Sequence, residues 1–203
     1  MARCFSYIIA RDYGFAPNPF HGVLTLATCK PKIRKTAQVG DFIIGHASKK
    51  FSHKLIFMMR VTEVTTFDNY WTDERFQIKK PVMNGSLVSL YGDNIYHQEG
   101  GVWQQADSHH SLEDGKPNPL NIKKDTSTTD RVLISGDFIY LGTSMISMPK
   151  ELRGYIQKTQ GHRCIPNALA GRIWEYLSER YPEKGLIDDP LLFKSFKRYD
   201  GKS

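Results

Sequence analysis

Between Gly92 and Ser111 the chain reads GDNIYHQEGGVWQQADSHHS. Those twenty residues set Asp93, Asn94, Tyr96, Trp103, Asp107, Ser108, His109 and His110 close together, with few aliphatic residues between them. Solvated loops run to Lys, Glu, Ser and Gly. This one is rich in side chains that exchange protons, stack on rings and make directional hydrogen bonds. Such a set either binds something planar and polar or performs acid–base chemistry on it.

Asp93, Asp107 and one of His109 and His110 form the acid–base candidates, because a carboxylate beside an imidazole can orient it, charge it and take its proton. The expectation is that Asp107 shares a hydrogen bond with one of the two histidines. Asp93-Asn94 after Gly92 equally suits a turn cap. Adjacent side chains on a strand point to opposite faces, so His109 and His110 are not read as a chelating pair, and no metal ligands are assigned. A Ser beside a His lacks the GxSxG elbow here, so Ser108 is placed with the binding residues. Asp12, Asn18, Asn94, Tyr96 and Trp103 join it as candidates for holding a base, and Tyr13 and Phe15 as further stacking rings. Arg11, Lys30 and Arg34 are the phosphate candidates, with Lys32 and Lys35 nearby. Cys29, followed by Lys30-Pro31, is either a reactive thiol among cations or a small buried residue at a strand end, and the second reading is favoured.

Several elements must position these groups. Phe5–Ala10, Gly22–Thr28, Phe42–His46, Lys54–Thr65 and Arg131–Leu141 read as strands from their β-branched and aromatic content. Thr66, Asp68 and Asn69 offer caps for a short helix through Arg75. Pro149–Lys158 can begin a helix, and Pro166–Arg180 is the clearest one, with Leu169, Ile173 and Leu177 recurring every four residues. Residues 79–129 are read as sparse in regular structure. A region of that length inside a domain is either functional or disordered, and its aromatic content argues against disorder. Strands first and helices last predict an α+β fold, a mostly antiparallel curved sheet or small barrel with C-terminal helices. The Asp12–Phe20 loop and the Gly92–Ser111 loop are expected to meet at one site.

The 203 residues suit one domain spanning 1–203, with a basic tail from about residue 190 read as loosely held. Lys and Arg total 28 against 21 Asp and Glu, a formal charge of +7 that permits polyanion partners without requiring them. Three cysteines and no CxxC argue against a disulfide framework or a Cys-based zinc site. The N-terminal residues lack the apolar core of a secretion signal, and no apolar run approaches about 18 residues. The expectation is a cytoplasmic protein with no membrane partner. The absence of GxGxxG and GxxxxGK[ST] removes Rossmann and P-loop chemistry from consideration.

Tyr7–Phe20 (YIIARDYGFAPNPF), Thr25–Pro31 (TLATCKP), Val39-Gly40-Asp41, Gly92–Tyr96 and Asp107–Ser111 together resemble the nucleotide modification associated domain, type 2. Val39–His46, followed by a long strand ending in Arg60-Val61-Thr62, is similar to the central strands of PUA-like domains, including the EVE type. The first resemblance implies work beside phage or bacterial enzymes that build modified DNA bases. The second implies a small PUA-like barrel that holds a nucleobase. On both, the chain is expected to handle a nucleotide or DNA, acting on a modified base or nucleotide. A non-catalytic reader of modified bases and a nuclease or glycosylase of modified DNA are the alternatives, and no cofactor is assigned.

Overall fold

The computed structural model describes residues 2–201. The first part of the chain forms β1 (Cys4–Ile8), β2 (Leu24–Leu26), α1 (Pro31–Thr36), β3 (Phe42–His46), β4 (Leu55–Arg60), β5 (Glu63–Thr66) and α2 (Phe67–Thr72). The middle adds α3 (Leu87–Leu90), the hairpin β6 (Tyr96–Glu99) and β7 (Val102–Gln105), and α4 (Pro119–Thr126). The last part gives β8 (Arg131–Ser135), β9 (Asp137–Tyr140), β10 (His162–Ile165), α5 (Asn167–Arg180) and β11 (Gly185–Leu186).

Among the described residues the strands make three sheets: a six-stranded sheet ordered β10-β1-β3-β4-β9-β11, a three-stranded sheet β2-β8-β5 and the β6-β7 hairpin. Most neighbours are antiparallel, while β1 pairs β3 and β9 pairs β11 in parallel. The large sheet ends in the edges β10 and β11, so the expected PUA-like closed barrel is not present and the fold is mixed α/β with several sheets. The cause lies in two runs that each read as one strand. Lys54–Thr65 bends after Arg60, and Arg131–Leu141 bends at Gly136. Their halves therefore pair as β4 with β9 in one sheet and as β5 with β8 in the other. The buried Ser135 hydroxyl pins the corner by donating to Arg60 O at 2.6 Å and accepting from Asp137 N at 3.0 Å. A ribbon that turns from one sheet into another at a polar corner does not curl one sheet shut.

Tyr7, Phe57 and Tyr140 from the large sheet pack with Leu26 and Leu133 from the small one. On the other face of the large sheet, α5 lays Ile173, Trp174 and Leu177 over Ile44, Met58 and Ile139, the four-residue spacing supplying one apolar stripe. The Pro149–Lys158 segment forms a 3₁₀ turn, Lys150–Tyr155, rather than an α-helix. A third cluster, with Phe15, Phe67, Tyr70, Tyr91 and Tyr96, supports the segment from Gly92 to Ser111. Residues 190–200 run back over this cluster. Leu192 N donates to Asp12 O at 2.8 Å, Lys197 N to the Tyr91 hydroxyl at 3.1 Å and Tyr199 N to His109 O at 2.6 Å. None of the helices among the described residues is long and apolar enough to cross a membrane.

Candidate active site

The loop after β1 and the segment after β7 meet: the Phe15 ring lies 4.9 Å from His109 and 4.7 Å from His110, centre to centre. Beside them opens a cavity of about 460 Å³, within the range that suits a small planar ligand. Its walls come from β1 and the loop behind it, the turn into α1, the His109-His110 pair, α4 and Tyr199 of the tail. Arg11, Lys30, Lys32 and Lys124 line it, and among the described residues no Asp or Glu does.

Cys29 stands at the inner wall, on a strand–turn–helix corner between β2 and α1. Its φ of 56° and the 40° of Lys30 put two successive non-glycine residues in the left-handed region, a conformation that costs about 1–2 kcal/mol per residue and persists only where surroundings enforce it. They do so here. Asp125 Oδ1 accepts from Cys29 N at 2.8 Å, and Arg34 Nε donates to Cys29 O at 2.8 Å. Pro31 then opens α1, where its missing N–H costs nothing.

The same Asp125 reaches the imidazole. His110 Nδ1 lies 2.9 Å from Asp125 Oδ2, and His110 Nε2 lies 3.9 Å from the Cys29 sulfur. An ionised carboxylate only accepts, so Nδ1 carries the proton and Nε2 faces the thiol. α4 makes this possible through its spacing. Asn118 caps the helix by accepting from Leu120 N at 3.0 Å, and positions 121, 124 and 125 then share one face. Asn121 Nδ2 donates to His110 O at 2.8 Å, Asp125 holds the ring, and Lys124 extends to the cavity. Gln105 and Tyr96 complete the support. Gln105 Nε2 donates to His110 O and to the Tyr96 hydroxyl, both at 3.2 Å, and that hydroxyl donates to Asp125 Oδ2 at 3.0 Å.

The two neighbouring histidines are driven to opposite charge states. Burial alone would lower the pKa of His110, but the Asp125 charge and hydrogen bond, with Cys29 adding to them, push it up to about 9. Burial would raise Asp125, and the imidazolium and Arg34 overcome it and hold that carboxyl below its usual range. His109 is pushed down to about 3, by burial first and then by the charge on His110. Its Nδ1 donates to Lys197 O, which leaves Nε2 of a neutral ring as an acceptor among the rings of Tyr13, Phe15 and Tyr199. Environments that push paired groups apart in this way separate acid from base roles.

The other residues singled out in the sequence lie elsewhere. Asp93 is buried below the small sheet, accepting from Thr25 Oγ1 at 2.6 Å and Tyr70 OH at 2.9 Å. Nearby, the buried Lys79 ammonium donates to Asn18 Oδ1 at 2.7 Å, Asn18 O at 3.2 Å and Val23 O at 3.0 Å. Asn94 Nδ2 donates to Tyr70 O at 2.8 Å and Phe76 O at 3.1 Å. Asp12 accepts from the Tyr140 hydroxyl and from Leu191 N, anchoring the tail. Asp107 pairs with Arg198 of the tail rather than with either histidine. Ser108 shapes the turn with Ser111, and Trp103 packs edge-on against Phe67 at 5.5 Å. Arg34 is fully buried, and its donors go to the carbonyls of Cys29, Arg131 and Asp125. Of the candidates, the cavity gathers Arg11, Tyr13, Phe15, Cys29, Lys30, Lys32, His109 and His110, and Tyr96 stands directly behind it. Asp125 carries no signal in its local sequence, NIKKDT, beyond being a carboxylate on a capped helix. Cys29 did, in the cations that follow it.

The arrangement defines a mixed α/β domain with a thiol, an imidazole and a carboxylate in series at the wall of a cationic, aromatic cavity. The chain belongs to the nucleotide modification associated domain 2 family, which it matches over residues 1–197. No curated protein and no solved structure matches it.

Proposed function

We propose that this protein is a thiol-dependent acyl-transfer enzyme of nucleotide modification, acting on a nucleotide or DNA that carries a modified base. Cys29 is the nucleophile, His110 its proton partner and Asp125 the group that orients and charges the imidazole. The observation that carries this reading is the chain from the Cys29 sulfur through His110 to Asp125, opening on a cavity. A thiolate is the attacking form of cysteine, and an imidazole within reach activates it.

In the reacting pair the Cys29 proton already resides on Nε2 of the His110 imidazolium, and the thiolate sulfur attacks the substrate's carbonyl carbon while the C=O π pair moves to oxygen. When that pair returns, the bond to the leaving group breaks and the leaving group takes the proton from Nε2. Water or an amine then gives its proton to Nε2, attacks the thioester and releases the Cys29 sulfur. Neutral His109 accepts from an N–H edge of the base, among the rings of Tyr13, Phe15 and Tyr199. A free thiol of this kind suits a reducing compartment such as the cytoplasm, and the family supports a place beside base-modifying enzymes.

A non-catalytic reader would use the same rings and His109, and it gives no reason for a carboxylate-held imidazole facing a thiol. A glycosylase or nuclease relying on Asp93 or Asp107 is less well supported, because neither lines the cavity. The test is incubation with p-nitrophenyl acetate followed by peptide mass analysis. Acetylation is expected at Cys29, with a burst of p-nitrophenolate, and His110→Gln should slow it about 10²–10⁴-fold. A Cys29 that is acetylated no faster than the exposed Cys164 would sink the proposal.

A further inference from the structure

The cavity has a charge problem. Among the described residues that line it, four are cationic, Arg11, Lys30, Lys32 and Lys124, and none is acidic. Of the carboxylates behind the wall, Asp125 is committed to His110, Tyr96 and the Cys29 amide, and Asp12 to the Tyr140 hydroxyl and Leu191 N. The Lys30 ammonium sits 4.5 Å over the Tyr7 ring, and Lys124 Nζ lies 3.1 Å from the Tyr199 hydroxyl. Among the described residues neither has an ion-pair partner within 4.0 Å. Burial, and then Lys124, press Lys30 downward, with only Cys29 opposing them. His162, on the same wall, is lowered by burial and by Lys32 and Lys30. Lysine ammoniums that line a largely apolar cavity without an ion-pair partner of their own suit an anionic ligand.

We propose that the substrate is held by a phosphate group seated between Lys30 and Lys124, next to the Cys29 thiol. This rests on the reading of the cavity as the active site and deepens it. The electrophile is attached to a phosphorylated molecule, and its phosphate is fixed within the chamber that holds the nucleophile. Arg11, stacked 5.5 Å over the Tyr199 ring, and Lys32 extend the positive field to the mouth. A cavity of about 460 Å³ suits a single nucleotide better than a strand.

The experiment compares two alkylating reagents on the intact protein, anionic iodoacetate and neutral iodoacetamide, with the exposed Cys164 as internal reference. The rate ratio of iodoacetate to iodoacetamide is expected to be about tenfold or more higher at Cys29 than at Cys164, because a cationic cavity concentrates anions. Lys124→Gln, at an exposed position, should bring the ratio most of the way back to that of Cys164, and Lys30→Gln should act in the same direction. Inorganic phosphate should protect Cys29 from both reagents while leaving Cys164 unaffected, and that protection should fade with added salt. A deoxynucleoside 5′-monophosphate and a single-stranded oligodeoxynucleotide then identify the source of the phosphate by which protects at lower concentration. Calorimetric titration with inorganic phosphate reads the anion site whether or not the thiol reacts. A thiol inert to both reagents, with phosphate still binding, would overturn the thiol enzyme and leave the phosphate site standing. A reactive Cys29 without charge preference, phosphate protection or phosphate binding would overturn the phosphate site alone.

Discussion

Asp125 accepts from three donors at once, the Cys29 amide, the Tyr96 hydroxyl and His110 Nδ1, and each bond needs the ionised carboxylate. Asp125→Asn keeps the shape and turns one acceptor into a donor that must face a donor. The His110 pKa should then fall from about 9 to near or below that of a free imidazole, read from its ring proton shifts by NMR. Cys29 alkylation at neutral pH should slow about 10²-fold or more, and stability should drop by about 3–5 kcal/mol, because a buried pair is broken from one side. An unshifted His110 would remove Asp125 from its role. This carboxylate was also the hardest group to find in the sequence. Asp107 is two residues from His109, so proximity along the chain favours it, but the fold gives it to Arg198 and brings Asp125 in from α4. His109 and His110 were legible because two adjacent imidazoles in a polar run are unusual. Cys29 was legible as a residue but not as a nucleophile, because what distinguishes it is a left-handed backbone held by Arg34 and by the distant Asp125.

At the scale of elements, the sequence identified the strands better than their ends. The apolar runs at 54–65 and 131–141 each gave one strand, since β-branched content does not reveal a corner, and the corner is set by pairing between distant segments. The helix at Pro166–Arg180 was legible from its stripe, whereas α4 was hidden because its face is polar and serves the site rather than a core. Asp93 shows the converse. It looks like chemistry in the sequence, and in the fold it ties β2, α2 and the segment before β6 together through Thr25, Tyr70 and the neighbourhood of Lys79. Burial raises the Asp93 pKa and lowers that of Lys79, so each is the other's main source of compensating charge. Asp93→Ala strands a buried ammonium and should cost about 3–5 kcal/mol in urea unfolding. In the folded fraction, the iodoacetamide rate at Cys29 should stay within about twofold of the parent. A loss of thiol reactivity without loss of stability would restore Asp93 to the site.

For the whole molecule, the opposed histidines set a pH dependence whose sign can be worked out. His110 has a folded pKa of about 9 against 6.5 for a free histidine side chain. Between those values the native state holds a proton that the unfolded chain has released, so this stabilisation is fully present below pH 6.5 and is lost as pH rises through about 9. His109 and His46, pushed down to about 3 and about 4 mainly by burial, act on the acid side. They stabilise above 6.5, and that contribution is lost as pH falls through their folded values. The buried carboxyls of Asp12 and Asp93 oppose them there, since a raised carboxyl favours the folded state as pH falls. The buried ammoniums of Lys30 and Lys79 oppose His110 toward the alkaline end. Just above 6.5 the unfolded chain also releases protons from His109 and His46, and toward 8 the folded Lys79 begins to lose its own, so His110 is isolated by difference against a variant that cannot titrate at that position. In urea unfolding followed from pH 6.5 to 8, the stability advantage of the parent over His110→Gln should shrink by up to about 1.4 kcal/mol per pH unit, the value of one proton. The conservative His110→Gln, which keeps a polar side chain of similar reach but cannot titrate, should be less stable than the parent at pH 6.5, and that gap should narrow toward pH 8. A difference between the two proteins that is flat there, or that grows as pH rises, would mean that His110 is not held as an imidazolium by Asp125, and the charged relay at the cavity wall would have to be abandoned.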